Sequence, residues 1–297
     1  METLKVTKSK IAPNPKEYKY WIDLTADKNG KIMKVFSNGK WEKMSGNADD
    51  ESKSDNYEKY NWERKTSFDL DVLKKAVADG NLEKYGLKVG DQTTINGHTY
   101  VIAGLNPMRG TTTPYCLTVN HVGLICIPHA TTKWNASCNT STGADDRGAG
   151  YANSDLHYYL TNTVLPLAET DLGADNILSH SCRFASAVNA TGYNRFGTNS
   201  GCSSAANWIK GVKIAALSEM QVYGGTVWSS SGFDTGEACQ QLEVFQKYKA
   251  TAIFGTECIW LRDIASASIA AYANSLGDAY YRPASVAYYV AGLILFH

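Results

Sequence analysis

A run of polar and charged residues almost without aliphatic side chains, NADDESKSDNYEKYNWERKT (47–66), divides this chain of 297 residues into a short amino-terminal part and a long carboxy-terminal one. Such a stretch cannot bury enough apolar surface to order itself. It reads as a linker, so the chain is expected to fold as two separate pieces.

The first piece, residues 1–46, reads as a small all-β module. YKYWIDL (18–24) is a strand candidate, ADKNG (26–30) supplies turn residues, and KIMKVFS (31–37) alternates. Asn38-Gly39 then favours a tight hairpin turn before KWEKM. A three-strand meander of about 25 residues is too small to be stable alone. It is expected to gain stability by trimerising or by docking on a partner.

From Ser67 onward the texture changes. FDLDVLKKAVADGNLEKYG has helical periodicity with Gly80 and Gly86 as stops. Asn96-Gly97 lies between TTI and HTYVIAGL and predicts a second hairpin. YCLTVNHVGLICIPHA gives further strands. ANSDLHYYLTNTVLPLAE predicts a helix with Asn153 or Ser154 as N-cap and a Leu156, Tyr159, Leu160 stripe. Residues 235–249 predict another helix. Short strands, a few helices and long Ser/Gly/Asn-rich loops indicate an α+β domain over 67–297.

Lysine plus arginine and aspartate plus glutamate number 29 each, so nothing electrostatic calls for nucleic acid. No apolar run is long enough for a membrane span. The start METLKVTKSKIAPNPKEYKY has no hydrophobic signal region, and synthesis in the cytoplasm is expected. The sequons at Asn135, Asn139 and Asn189 are then chance matches. Seven cysteines without CxxC spacing fit reduced, buried thiols.

Nucleotide-binding, zinc-protease and serine-hydrolase signatures are missing. Asp145-Asp146 lack the oxygen spacing of a calcium loop. His121 and His129 flank the apolar VGLICIP and read as core or strand-end histidines. Cys258 beside Trp260 reads as an inert thiol. No cofactor and no enzyme activity are expected.

The tail, DIASASIAAYANSLGDAYYRPASVAYYVAGLILFH (263–297), is the most unusual part. Lys, Glu, Gln, Met and Trp total 51 in the other 262 positions and are absent here. At that rate about 7 should occur. Randomising the two adenines of an AAC codon yields Asn, Thr, Ser, Ile, Asp, Ala, Gly, Val, His, Pro, Arg, Leu, Tyr, Cys or Phe, and never those five. The tail obeys that exclusion. It also sets a frame of small residues (Ala273, Gly277, Ala279, Ala284, Ser285, Ala287) around larger side chains.

WLRDIASAS (260–268), this small-residue frame and the closing GLILF resemble the variable region of proteins diversified by retroelements. SDLHYYLTNTVLP (154–166) and AALSEMQVYG (215–224) are similar to the same scaffold. The amino-terminal strands look like small β modules on phage tail proteins. The resemblance implies a C-type-lectin-like fold, shared in outline with formylglycine-generating enzymes. It implies a phage or prophage tail-tip protein, carried on the virion, that binds a host-surface protein or glycan. Trp260 and Leu261 would anchor the inner side, and Leu293, Leu295 and Phe296 the last strand. Tyr272, Asn274, Ser275, Leu276, Asp278, Tyr280, Tyr281, Arg282, Pro283, Val286, Tyr288 and Tyr289 would form the ligand-binding set, with the tyrosines sharing one exposed face. Tyrosine combines large rigid contact area with a hydroxyl. A homotrimer and attachment to tail proteins through residues 1–46 complete the expectation. The alternatives are an oxidase of the formylglycine-generating type, for which Cys239 and Cys258 are the only late thiols, and a fixed structural virion protein.

Overall fold

The computed structural model describes residues 67–109, 117–136, 150–185, 206–225, 227–228, 241–266 and 268–297, together with four strands among residues 1–66. The chain divides into two compact units, Met1–Glu58 and Lys59–His297.

In the first unit, β1 (Val6–Ser9), β2 (Tyr20–Asp23), β3 (Ile32–Ser37) and β4 (Lys40–Lys43) form one sheet in that order. Ser37 of β3 pairs with Lys40 of β4, and the expected turn residues Asn38 and Gly39 lie outside the described residues. The three-strand expectation is corrected by β1, which runs parallel to β2. Its sequence, VTKS, is too short and polar to stand out as a strand. The run 47–66, read as a linker, lies outside the described residues.

The second unit combines helices with several β-sheets. Its strands are β5 (Gln92–Ile95), β6 (His98–Leu105), β7 (Val122–Ile127), β8 (Thr131–Lys133), β9 (His180–Ala185), β10 (Ala206–Val212), β11 (Ile214–Ala216), β12 (Ile259–Ser266), β13 (Ile269–Ala273), β14 (Ala279–Pro283), β15 (Ala287–Tyr289) and β16 (Gly292–Phe296). One antiparallel sheet has the order β11-β16-β7-β6-β5. VGLICI of β7 and GLILF of β16 are apolar at nearly every position because every residue of both is buried. The Asn96-Gly97 turn between β5 and β6 has positive φ at both residues, as its tight geometry demands.

Helix Leu70–Asp79 starts at Asp69, whose carboxylate accepts from Asp71 N–H, and stops at Gly80 in the left-handed region. Ser154 caps helix Asp155–Tyr159 by accepting from His157 N–H. That helix continues through a π-turn, Leu160–Val164, into Leu165–Leu172. Its buried Leu160 approaches Gly292 of β16, where an added Cβ would come within 3.3 Å of it and within 2.5 Å of Ile214. The helix expected over 235–249 is corrected to Glu243–Lys247, ended by the extended Tyr248, with a separate turn Ala250–Phe254. Residues 235–240 lie outside the described residues.

The second five-stranded sheet has the order β14-β13-β12-β15-β8. All pairs are antiparallel except β12–β15. Ala265, Ala270, Ala271, Ala273 and Ala284 of the tail are fully buried. Of the small-residue frame, Ala273 and Ala284 are therefore packing surface, while Gly277, Ala279 and Ser285 are half-buried and Ala287 is exposed. β14 is a sheet edge that carries larger side chains.

Candidate ligand-binding face

The face begins with the frame beneath it. Trp260 and Leu261 are buried, and the Trp260 indole N–H donates to Thr132 O at 3.1 Å. Between Trp260 and Ile264 the β12–β13 register shifts, with Trp260 opposite Tyr272 and Ile264 opposite Ala270. Two extra residues of β12 thus form an irregularity of the bulge type, which re-aims side chains. Arg262 and Asp263 fall within it and are both buried. The Arg262 guanidinium donates to Ala216 O at 3.0 Å and to Gln221 Oε1 at 2.7 Å. Asp263 Oδ2 accepts from Glu219 N–H at 2.6 Å.

Glu219 opens the short helix Glu219–Tyr223, which Ser218 and Gln221 close with a capping box. Its own carboxylate is fully buried. It accepts from Val227 N–H at 3.0 Å and from Trp228 N–H at 3.0 and 3.1 Å. A buried carboxylate is tolerated only when its lone pairs are filled, and the 227–228 backbone helps fill them. The loop bearing Trp228 is thereby tied to the WLRD frame.

The β13–β14 hairpin is fixed by its turn. Asn274 Oδ1 accepts from Leu276 N–H at 2.9 Å and Asp278 N–H at 3.0 Å. Gly277 donates to Asn274 O with φ +79°. A left-handed glycine after a short turn is the usual three-residue hairpin loop. An added Cβ on Gly277 would lie 2.9 Å from the backbone nitrogen of Thr251.

Aromatic rings then run across the sheet. Tyr272 pairs with Trp260 on one side and with Tyr280 on the other. The Trp260–Tyr272 and Tyr272–Tyr280 centroids are each 5.9 Å apart, edge to face. Tyr288 stacks on Tyr272 at 4.6 Å and reaches Trp260 at 5.0 Å. At the edge, Trp228 packs on Tyr281 at 4.4 Å, Tyr281 stacks on Tyr280 at 5.2 Å, and the Arg282 guanidinium lies 5.5 Å from the Tyr280 centroid. The Trp228 indole N–H donates to Ala279 O at 3.0 Å.

The candidate residues fall into three groups. Ser275, Leu276, Asp278, Tyr280, Arg282 and Pro283 are exposed, Leu276 at 73% and Tyr280 at 38%. Asn274, Tyr281, Val286, Tyr288 and Tyr289 are half-buried. Tyr272 is only 4% exposed. The expectation of one exposed face shared by five tyrosines is therefore corrected: Tyr280 is exposed, Tyr281, Tyr288 and Tyr289 are half-buried, and the departure is largest at Tyr272. It lies on a central strand under Tyr280 and Tyr288, and burial first, then its contact with Tyr288, raises its pKa. Asn274 is corrected in role, because its side chain holds the turn. Trp228 and Glu219 were missed. A tryptophan in a Gly/Ser-rich loop was the available signal, but its partner Ala279 is 51 residues away.

The other candidates have structural roles. His121 is buried, accepts from Met108 N–H at 3.1 Å and donates to Val119 O. Its burial lowers its pKa. His129 Nε2 lies 3.3 Å from Thr99 Oγ1. Asn135 is buried, and its side-chain oxygen accepts from Asp155 N–H. Cys258 is half-buried. Asp145, Asp146, Asn139, Asn189 and Cys239 lie outside the described residues. Asp171 binds Tyr100 Oη at 2.6 Å, His98 Nδ1 at 2.7 Å and Asn96 Nδ2 at 2.8 Å, joining the β5–β6 hairpin to the helix Leu165–Leu172. Among the described residues, no group of three or more His, Cys, Asp or Glu could hold a metal, and no helix is long and apolar enough to cross a membrane.

The arrangement places aromatic rings, hydroxyls and the Arg282 guanidinium together at the edge of the sheet. No protein-family model, curated protein or solved structure matches this chain.

Proposed function

We propose that this chain is a ligand-binding protein with a C-type-lectin-like domain, a tail-tip protein of a phage or prophage whose carboxy-terminal face is diversified by a retroelement. One arrangement carries the reading. Ser275, Leu276, Asp278, Tyr280, Arg282 and Pro283 project from a hairpin whose Ala270, Ala271 and Ala273 are buried and whose support is the buried Trp260-Leu261-Arg262-Asp263 segment. Exposed positions of this kind can change without removing core contacts. The exclusion of Lys, Glu, Gln, Met and Trp from 263–297 adds the codon signature of adenine mutagenesis.

On this reading the partners are a host-surface protein or glycan, tail proteins that receive residues 1–46, and two further copies of the chain. Trimerisation multiplies weak contacts into useful avidity. The genomic test is direct. An imperfect nearby copy of the DNA encoding the tail, differing only at adenines, and a reverse-transcriptase gene are expected. A flanking region with neither refutes diversification. Light scattering on the full chain tests the trimer, and a monomer refutes it.

A further inference from the structure

We infer that the edge of this face takes an acidic saccharide, with Arg282 as the anion-binding group and Trp228 as a positioning residue outside the variable tail. The inference rests on the reading of the face as a binding surface and is independent of diversification.

Trp228, Tyr281, Tyr280 and Arg282 form one column, each packed on the next. Trp228 is fixed from behind by the Glu219 carboxylate through its backbone N–H and from the side by Ala279 O. At the far end, the Arg282 guanidinium lies over the Tyr280 ring. Its neighbours there are tyrosines, and no carboxylate among the described residues forms a salt bridge with it. Asp278 sits four residues away along the hairpin, about 13 Å at strand spacing. The column thus holds an exposed, oriented cation beside phenolic hydroxyls. A planar guanidinium in this setting suits a carboxylate or sulfate. The positive edges of the rings favour the same charge.

Saccharide is favoured over peptide by the strand edge. An extended peptide would add to β14 through outward backbone groups. That edge is blunted, because Ala279 O is taken by Trp228 and Pro283 has no N–H. Hydroxyl-bearing Tyr280, Tyr281 and Tyr288 instead match a polyhydroxylated ligand.

Calorimetric titration of the full chain with 3′-sialyllactose, a heparin-derived tetrasaccharide, lactose and hexaglutamate tests this. At least one acidic saccharide should bind about tenfold more tightly than lactose and hexaglutamate, and binding should weaken with salt. The sialylated and sulfated probes separate carboxylate from sulfate recognition. Arg282→Gln should abolish the preference, and Arg282→Lys should restore only part of it. Trp228→Leu should weaken binding about fivefold, and Trp228→Phe should restore part of that loss by keeping a ring against Tyr281. Equal binding of lactose, no saccharide binding, a preference that survives Arg282→Gln, or tighter binding of hexaglutamate overturns the inference. If exchanges at exposed tail positions alter adsorption to bacterial cells while acidic saccharides fail, the binding face stands and this inference falls.

Discussion

Trp260 and Tyr272 stand opposite one another across β12 and β13, their rings edge to face with centroids 5.9 Å apart. Tyr272 is therefore a structural tyrosine within a tyrosine-rich face. Tyr272→Ala should destabilise the chain by about 3 kcal/mol and Trp260→Ala by about 3–5 kcal/mol, as large core deletions. Leu276→Ser and Ser275→Ala should stay within about 0.5 kcal/mol, as surface changes. Denaturant melts of the four variants decide the matter, and a Tyr272→Ala variant as stable as Leu276→Ser would contradict the assignment.

The hairpin turn separates two positions that look alike in sequence. Asn274→Ala removes the acceptor for Leu276 and Asp278 N–H and should cost about 1 kcal/mol, like loss of a cap. Gly277→Ala meets both a left-handed φ and the Thr251 backbone at 2.9 Å. It should cost more, about 2–4 kcal/mol. Thermal melts that rank Gly277→Ala milder than Asn274→Ala would show that the turn rearranges.

The buried polar frame should be sensitive in a different way. Arg262→Ala leaves Ala216 O and Gln221 Oε1 without this donor, and should cost about 3–5 kcal/mol through unsatisfied acceptors and lost packing. Glu219→Ala should release the Val227–Trp228 backbone and move Trp228 away from Tyr281. Loss of Trp228–Tyr281 ring-current shifts in an NMR spectrum is the expected readout. Unchanged shifts would mean that Ala279 alone places the indole.

Acid should weaken the fold from pH 6.5 downward. Burial depresses the His157 and His180 pKa values to about 4. The unfolded chain then binds more protons between its ordinary histidine pKa near 6.5 and pH 4, so stability falls with pH across that window and levels off below it. By pH 5 each histidine should cost about 2 kcal/mol. An equal melting temperature at pH 7 and pH 5 would refute the buried neutral state of both.

The sequence alone determined what local chemistry controls. Asn96-Gly97 specifies its turn because φ > 0 is tolerated there, Asn153 or Ser154 announces a helix start, and Gly80 a stop. The unbroken apolar runs VGLICI and GLILF specify strands enclosed on both faces. Candidate face residues were legible because the tail alternates small and large side chains and excludes five residue types. Tertiary structure decided which tyrosines are exposed. Tyr272 and Tyr280 share one local composition, yet one lies on a central strand and the other at the sheet edge. It also decided the role of Trp228, because a hydrogen bond to a carbonyl 51 residues away leaves no periodicity or motif in the chain.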